Sequence, residues 1–93
     1  MTQSFELGQI VMTKSIAGKV SNNTKFHMEV IDALLRYAVK DWGIISKNDK
    51  QANDWGLENG DRILAAYETC EGDIWIITEW DRSVTTVLFP SEY

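Results

Sequence analysis

The sequence predicts a small α+β domain in which a small antiparallel sheet is packed by one main amphipathic helix and a second, polar helix. Three observations support this class. A β-rich segment lies near the N-terminus, apolar residues then recur at helical spacing, and the closing third alternates strand-like runs with turns. The chain has 93 residues, 44% of them apolar, which suits one domain. We therefore expect residues 1–93 to form a single domain.

The N-terminal strand is predicted over residues 7–13, a β-rich run that ends at the loop-forming pair Lys14 and Ser15. Ser15 could cap a short helical turn that reaches Val20, although Gly18 disfavours a helix at this point. Residues 21–24 then form a polar loop whose last residues are good helix caps. These features place a strand and a turn before the main helix.

The main helix is predicted over residues 25–41, where the apolar period changes to that of a helix. One apolar row contains Phe26, Val30, Leu34 and Ala38 and is extended by Trp42; a neighbouring row contains Ile31, Leu35 and Val39. Together the two rows make a wide apolar stripe, typical of a helix that lies against a sheet. Gly43 is expected to end this helix.

The second helix is predicted to begin after Ser46, with Asp49 at the third helical position as in a variant capping box. It ends at residues 59–60, where glycine suits the left-handed conformation of a helix C-cap. Because this helix is mostly polar, we expect only a narrow side that includes Ala52, with or without Trp55, to contact the rest of the domain.

The remaining chain predicts an antiparallel meander with strands over residues 62–69, 74–79 and 84–89. Residues 71–73 form the first hairpin, residues 80–83 form the second turn, and Pro90 ends the last strand. The strand over residues 74–79 is apolar on both faces, so it should lie at the centre of the sheet. The first or the fourth strand could lie at an open edge, which would allow a homodimer.

The net charge of −5 is unevenly distributed along the chain. Residues 1–40 carry five basic and three acidic groups, whereas residues 41–93 carry four basic and eleven acidic groups. An acidic surface repels phosphate, which disfavours direct binding of nucleic acid. It could attract a basic protein, including a surface that itself binds nucleic acid. A plain alternative is that the charge keeps a small protein soluble.

Several kinds of site are disfavoured by the sequence. Cys70 is the single cysteine and His27 the single histidine, so neither a disulfide within the chain nor a Cys/His zinc site is expected. Motifs for phosphate loops, nucleophile elbows and EF-hands are absent from the sequence, so we expect no metal, no cofactor and no enzyme activity. The N-terminus lacks the pattern of a signal peptide, and no apolar run is long enough to span a membrane, which predicts a cytoplasmic protein.

The candidate binding site centres on the turn between the last two strands, where Trp80 lies among polar residues and is hard to bury. An exposed tryptophan beside an arginine is a frequent hot spot at protein interfaces. The predicted partner-binding residues are Glu68, Glu71, Asp73, Glu79, Trp80, Asp81 and Arg82, with Glu58 and Asp61 as further acidic groups.

Two other interpretations of this turn are open. In the first, the turn satisfies its own polar groups: Asp81 accepts hydrogen bonds from turn amides, and Arg82 pairs with Glu79 or a neighbour. In the second, Glu79 and Asp81 perform acid–base chemistry, which would require a pocket at the turn.

Four blocks of sequence resemble small uncharacterised, plasmid-related proteins of bacterial mobile elements. The blocks are residues 7–11 with Thr13; residues 41–43 with Asp49 and Asn53; Gly60 with residues 62–63 and 66–67; and residues 75–79, 81–83, 85–86, 88, 90 and 92–93. Trp80 departs from this pattern, which has a small residue at that position. The resemblance implies a cytoplasmic accessory protein carried by plasmids, integrative elements or phages.

These features lead to three hypotheses about function. The first is a non-enzymatic inhibitor of host defence, of the anti-CRISPR or anti-restriction type, that covers a basic surface of its target. The second is an adaptor or regulator that binds a replication or transfer protein encoded by the element. The third is an enzyme that acts on a small molecule through the Glu79, Asp81 and Arg82 cluster.

Overall fold

The computed structural model describes residues 4–93 and has the predicted α+β architecture. The elements in chain order are β1 (Gln9–Met12), α1 (Lys14–Asn22), α2 (Thr24–Ala38), α3 (Lys47–Asn59), β2 (Ile63–Tyr67), β3 (Ile74–Thr78) and β4 (Val84–Leu88). A short 3-10 turn over Pro90–Glu92 follows β4. The strands form one sheet in the order β1-β4-β3-β2. Within residues 4–93, none of the helices combines the length and the apolarity needed to cross a membrane.

The predicted meander is confirmed, because β2, β3 and β4 pair in antiparallel fashion with β3 at the centre. The prediction for the first strand is wrong in direction: β1 pairs with β4 in parallel, with Ile10 opposite Thr85. A parallel pair needs a long crossover, which the helices and strands between β1 and β4 provide. The fourth strand is therefore not an edge strand, and the edges of the sheet are β1 and β2.

The core lies between one face of the sheet and the helices. The sheet contributes buried residues that share this face, namely Ile63, Ala65, Tyr67, Ile74, Ile76 and Val87. Helix α2 contributes Phe26, Val30, Ala33 and Tyr37, and α1 contributes Ile16. Burial of these apolar side chains is the main stabilising contribution to such a fold.

Helix α2 differs from its prediction at the C-terminus and on its outer side. It ends at Ala38 and does not continue to Gly43, because Lys40, two residues later, adopts a left-handed conformation (φ 67°). Trp42 is buried outside the helix and packs its ring against Tyr37. The second apolar row does not contact the sheet, because a helix can bury only one side against a flat layer. This outer row, the α2 strip, consists of Met28, Ile31, Leu35 and Val39, which are 39–60% exposed.

Helix α1 is longer than predicted, and its cap is Thr13, whose side chain accepts a hydrogen bond from the Ile16 amide, instead of Ser15. Gly18 is tolerated inside it, and a Cβ at this position would meet nothing within 4 Å. The α1 segment is therefore a full helix in spite of its glycine.

Helix α3 has the predicted caps, with the Ser46 hydroxyl accepting from the Asp49 amide and Gly60 in the left-handed conformation. Its contact side is different, however: Asn53 and Gly56 are buried, whereas Ala52 and Trp55 are exposed. The cause is close packing, since a Cβ on Gly56 would lie 3.1 Å from Ile63 Cδ1. The fully buried residues of the contact are therefore small or polar, and the half-buried Leu57 packs against the core beside them.

The outer edge of β2 is closed by side-chain and main-chain hydrogen bonds. The Asn53 amide group donates to the Leu64 carbonyl (2.8 Å) and accepts from the Leu64 N–H (3.2 Å). One step along, the Ala66 carbonyl accepts from the Ile44 amide (2.9 Å), and the Ala66 N–H donates to the Trp42 carbonyl (3.4 Å). Asn53 thus takes the place of a neighbouring strand, as protection of a sheet edge requires.

Candidate functional site

The turn between β3 and β4 is held by its own polar groups. Asp81 Oδ1 accepts hydrogen bonds from the amide (3.1 Å) and the hydroxyl (2.6 Å) of Ser83, which lower the pKa of the Asp81 carboxyl. The Arg82 amide donates to the Glu79 carbonyl, and the Glu79 amide donates to the Val84 carbonyl. The prediction that Asp81 accepts from a turn amide is confirmed.

Arg82 connects this turn to the C-terminal end of α3. Its guanidinium donates to the main-chain oxygens of Asp61 (2.6 Å), Glu79 (3.1 Å) and Gly56 (3.1 Å). The predicted pairing of Arg82 with Glu79 or a neighbour is thus formed with carbonyl oxygens. The last turn of α3 has no basic residue of its own, so Arg82 also supplies the positive charge that a helix C-terminus favours.

Trp80 projects into solvent from this anchored turn. Its side chain is 67% exposed, as predicted, whereas the half-buried Arg82 on the same turn is engaged by the three carbonyl groups. A tryptophan that is solvent-exposed on a fixed main chain can be buried by a partner at little cost in conformational entropy. Trp80 therefore presents a large apolar surface to solvent beside an anchored turn.

The structure does not bring the predicted acidic residues together. Glu79, Asp81 and Asp61 lie at the Trp80 end of the sheet, and Glu58 lies on the last turn of α3 nearby. We call Asp61, Glu79, Trp80 and Asp81 the turn surface.

The other predicted acidic residues, Glu68, Glu71 and Asp73, lie beyond the opposite end of β3. At about 3.4 Å per residue, this strand and its flanking residues separate the two groups by roughly 20 Å. The predicted seven-residue site is therefore two separate surfaces.

Of the three carboxylates at the far end, that of Glu71 is engaged by neighbouring groups. Glu71 accepts a hydrogen bond from Asn23 (2.8 Å) and lies 3.4 Å from Lys19 Nζ, and both contacts lower the pKa of its carboxyl. Glu68 lines a hollow of about 400 Å³ between α2 and the end of β2. Each of the two surfaces therefore contains one carboxylate that is held locally, Glu71 at the far end and Asp81 on the turn surface.

Cys70 and His27 both lie on the surface of the domain. Cys70 is exposed, and the neighbouring Glu29 carboxylate raises the pKa of its thiol, which disfavours a reactive thiolate. His27 is an exposed residue of α2. Among the described residues, no three His, Cys, Asp or Glu side chains converge in a way that could hold a metal ion.

Two exposed apolar features lie outside the predicted partner-binding residues. The α2 strip lies on the side of the helix opposite its core residues, and Ile10 and Met12 are exposed along β1. The signal for the α2 strip is visible in the sequence, because apolar residues occupy more of the helix circumference than one sheet can cover. The exposure of Ile10 and Met12 depends on where the helices end over the sheet, which local pattern does not reveal.

No family model, curated protein or solved structure matches this chain. The resemblance to plasmid-related proteins therefore stays a prediction.

Proposed function

We propose that this chain acts by binding a partner protein through the turn surface and that it is not an enzyme. The exposure of Trp80 on an anchored turn is the observation that supports this best. Tryptophan is enriched among the residues that dominate binding energy at protein interfaces. Because the main chain around Trp80 is already ordered, a partner gains the buried indole without ordering the turn.

The charge of the turn surface indicates a basic partner. Asp61 and Asp81 are exposed and Glu79 is half-buried, while the guanidinium of Arg82 faces main-chain carbonyls. Three carboxylates outnumber the two guanidinium groups of this end, those of Arg82 and of Arg62, which lies over the Tyr93 ring. The surface around the indole therefore has a net negative charge, which favours and steers the approach of a positive surface. A basic surface that normally holds nucleic acid has the required sign.

The role we propose is inhibition of host defence, with the chain covering a basic nucleic-acid-binding surface of a CRISPR or restriction complex. The small size of the chain, its acidic C-terminal half and its resemblance to mobile-element proteins favour this role. Binding to a replication or transfer protein of the element is the alternative. Catalysis is disfavoured by the contacts of the turn, because Asp81 and Arg82 are engaged within the fold and neither lines the 400 Å³ hollow described above.

A capture experiment from host lysate tests the surface with matched variants. Trp80→Ala is compared with Met28→Ala, since Met28 is similarly exposed (60%) but lies on the α2 strip. Asp61→Lys is compared with Asp73→Lys, which makes the same charge change at the far end of β3. We expect Trp80→Ala to weaken binding at least about 30-fold, as for a hot-spot residue, and Asp61→Lys to weaken it more than Asp73→Lys.

The identity of the captured protein then separates the roles. A CRISPR or restriction subunit that is lost with Trp80→Ala, together with lost protection in a phage-plating assay, supports the inhibitor. An element-encoded replication or transfer protein supports the adaptor. Binding that survives Trp80→Ala but is lost with Met28→Ala would overturn the assignment to the turn surface.

A further inference from the structure

We propose that β1 pairs with β1 of a second copy of this chain, in antiparallel fashion, so that two four-stranded sheets become one continuous sheet. The two-fold axis passes beside Val11. The proposal concerns the edge of the sheet and does not depend on the partner of the turn surface.

The main-chain groups of β1 point alternately towards β4 and away from it. The amides of Gln9 and Thr13 donate to the carbonyls of Ser83 (3.0 Å) and Val87 (3.1 Å), so these residues face β4. Because these groups alternate along a strand, the N–H and C=O groups of Ile10 and Met12 point away from β4. In the part of the chain that the structure describes, β1 is the last strand on this side, so no strand pairs with them.

The two edges of the sheet differ in how their outward main-chain groups are covered. At β2, the Asn53 side chain and residues 42–44 occupy the outward groups. At β1, residues 9–12 contain no charge and no proline, which are common devices against edge pairing. Ile10 is 47% exposed and Met12 is 39% exposed, and both share the sheet face of Thr85 and Val87. Among residues 4–93, the edge therefore presents main-chain groups that no strand pairs with, beside apolar side chains.

A second copy fits this edge when the two β1 strands pair in antiparallel fashion. With the axis beside Val11, Ile10 lies opposite Met12 of the second copy, and Met12 lies opposite its Ile10. Each opposed pair exchanges two main-chain hydrogen bonds, so all of the outward groups of Ile10 and Met12 are used. The same register places the exposed side chains of Ile10 and Met12 against each other across the axis.

Charge favours this occupant as well. Residues 1–40 carry a net charge of +2, whereas the acidic excess lies in residues 41–93. Exposed Glu6 precedes β1 and exposed Lys14 follows it, so antiparallel pairing brings Lys14 of one copy towards the Glu6 end of the other. The strand at this edge carries no charge of its own, and the opposed Lys14 and Glu6 ends attract each other, so two acidic molecules can approach here.

Cysteine cross-linking tests the register. Val11→Cys in a Cys70→Ser background is expected to form a disulfide-linked dimer, since directly opposed residues of a non-hydrogen-bonded pair have Cα atoms about 4.5 Å apart. Gln9→Cys in the same background is the matched control. In this register Gln9 faces Thr13 of the second copy, so the two Gln9 positions are about 14 Å apart and should not link.

Sedimentation equilibrium and amide exchange test the edge without cysteines. We expect the fraction of dimer to increase with protein concentration up to about 1 mM, and the Ile10 and Met12 amides to become protected from hydrogen exchange as the dimer forms. Ile10→Lys should abolish the dimer, while Gln9→Lys, on the other face of the strand, should retain most of it.

Two results would overturn the proposal. One is a monomer at every concentration, with the Ile10 and Met12 amides exchanging freely. The other is a dimer that Val11→Cys does not link and that Leu35→Glu disrupts, since this would assign the contact to the α2 strip.

Discussion

The hydroxyl of Thr85 donates a 2.6 Å hydrogen bond to the main-chain oxygen of Leu7 and thereby orders a buried chain of hydroxyl groups. Its single proton is used in this bond, so Thr85 accepts from Thr78 (2.7 Å), and Thr78 accepts from Tyr37 (2.7 Å). Burial raises the pKa of Tyr37, which keeps its phenol a donor. These hydrogen-bonded hydroxyl groups join α2, β3 and β4 to the segment that precedes β1.

The direction of the hydrogen bonds between these hydroxyl groups predicts that two substitutions lower the free energy of unfolding by different amounts. Thr85→Val leaves the Leu7 carbonyl and the Thr78 proton without partners, so we expect it to lower the free energy of unfolding by about 2–3 kcal/mol. Tyr37→Phe removes one donor while Thr78 still donates to Thr85, so we expect about 1 kcal/mol. Urea unfolding followed by circular dichroism measures both. Equal costs would show that the hydroxyls are not ordered as described.

Asn53 provides a second test, because it is 5% exposed and pairs with both main-chain groups of Leu64. Asn53→Asp keeps the shape, but an ionised carboxylate cannot donate to the Leu64 carbonyl, so we expect a loss of about 2 kcal/mol at neutral pH. Protonation restores the donor, and burial raises the pKa of the new carboxyl. The difference in stability from wild type should therefore shrink as pH falls from 7 to 5, measured by urea unfolding at each pH. A constant difference would contradict this account.

Glycine substitutions should separate close packing from main-chain conformation. Gly43 and Gly60 both have positive φ (76° and 70°). A Cβ on Gly43 would fall on the Ala66 carbonyl oxygen, whereas a Cβ on Gly60 would meet nothing within 4 Å. We expect Gly60→Ala to cost about 1 kcal/mol and Gly43→Ala more than about 3 kcal/mol, up to loss of folding. Thermal unfolding measures both, and similar midpoints would be inconsistent with the packing at Ala66.

Stability should decrease in acid because several carboxyl groups have lowered pKa values. The Arg36 guanidinium lowers the pKa of Asp41, and the Phe89 amide lowers that of Glu92. A lowered pKa in the folded state means a contribution that is complete above the pKa of the unfolded chain, about 4, and is lost as pH falls through the folded value. We therefore expect stability to be level from pH 7 to about 5 and to fall below about 4.

Asp41→Asn is the control for this pH dependence. Asp41 also accepts from the Gly43 amide, and an asparagine retains an acceptor there but carries no charge for Arg36. The variant should be less stable than wild type at pH 7 and approach it below about pH 3.5, measured by chemical unfolding across the range. A difference that does not depend on pH would exclude the Asp41 ion pair as a source of acid sensitivity.

The elements with strong local signals were predicted well. Two apolar, β-rich runs on either side of a polar turn define β3 and β4. Ser46, Asp49 and Gly60 mark the ends of α3 through caps that act within a few residues. The turn at Asp81 was also predictable, because its hydrogen bonds to Ser83 are local.

Features that depend on distant parts of the chain were not predicted. The parallel direction of β1 is set by a crossover that local pattern does not encode. The contact of Gly56 with Ile63 depends on how closely α3 approaches β2. The division of the acidic residues between two ends of the sheet, in contrast, follows from the predicted strand over residues 74–79, which separates residues 68–73 from residues 79–81.

The parallel pairing of β1 with β4 also constrains the order of folding. Gln9 and Val84 are partners although 75 positions separate them, so the sheet cannot be completed until β4 has been synthesised. The meander of β2, β3 and β4 closes short loops and can form early. Docking of β1 closes the longest loop, so its larger loss of conformational entropy comes last. Until then the hydroxyl of Thr85 lacks the Leu7 carbonyl. A nascent chain therefore holds its first strand unpaired while the rest of the sheet assembles.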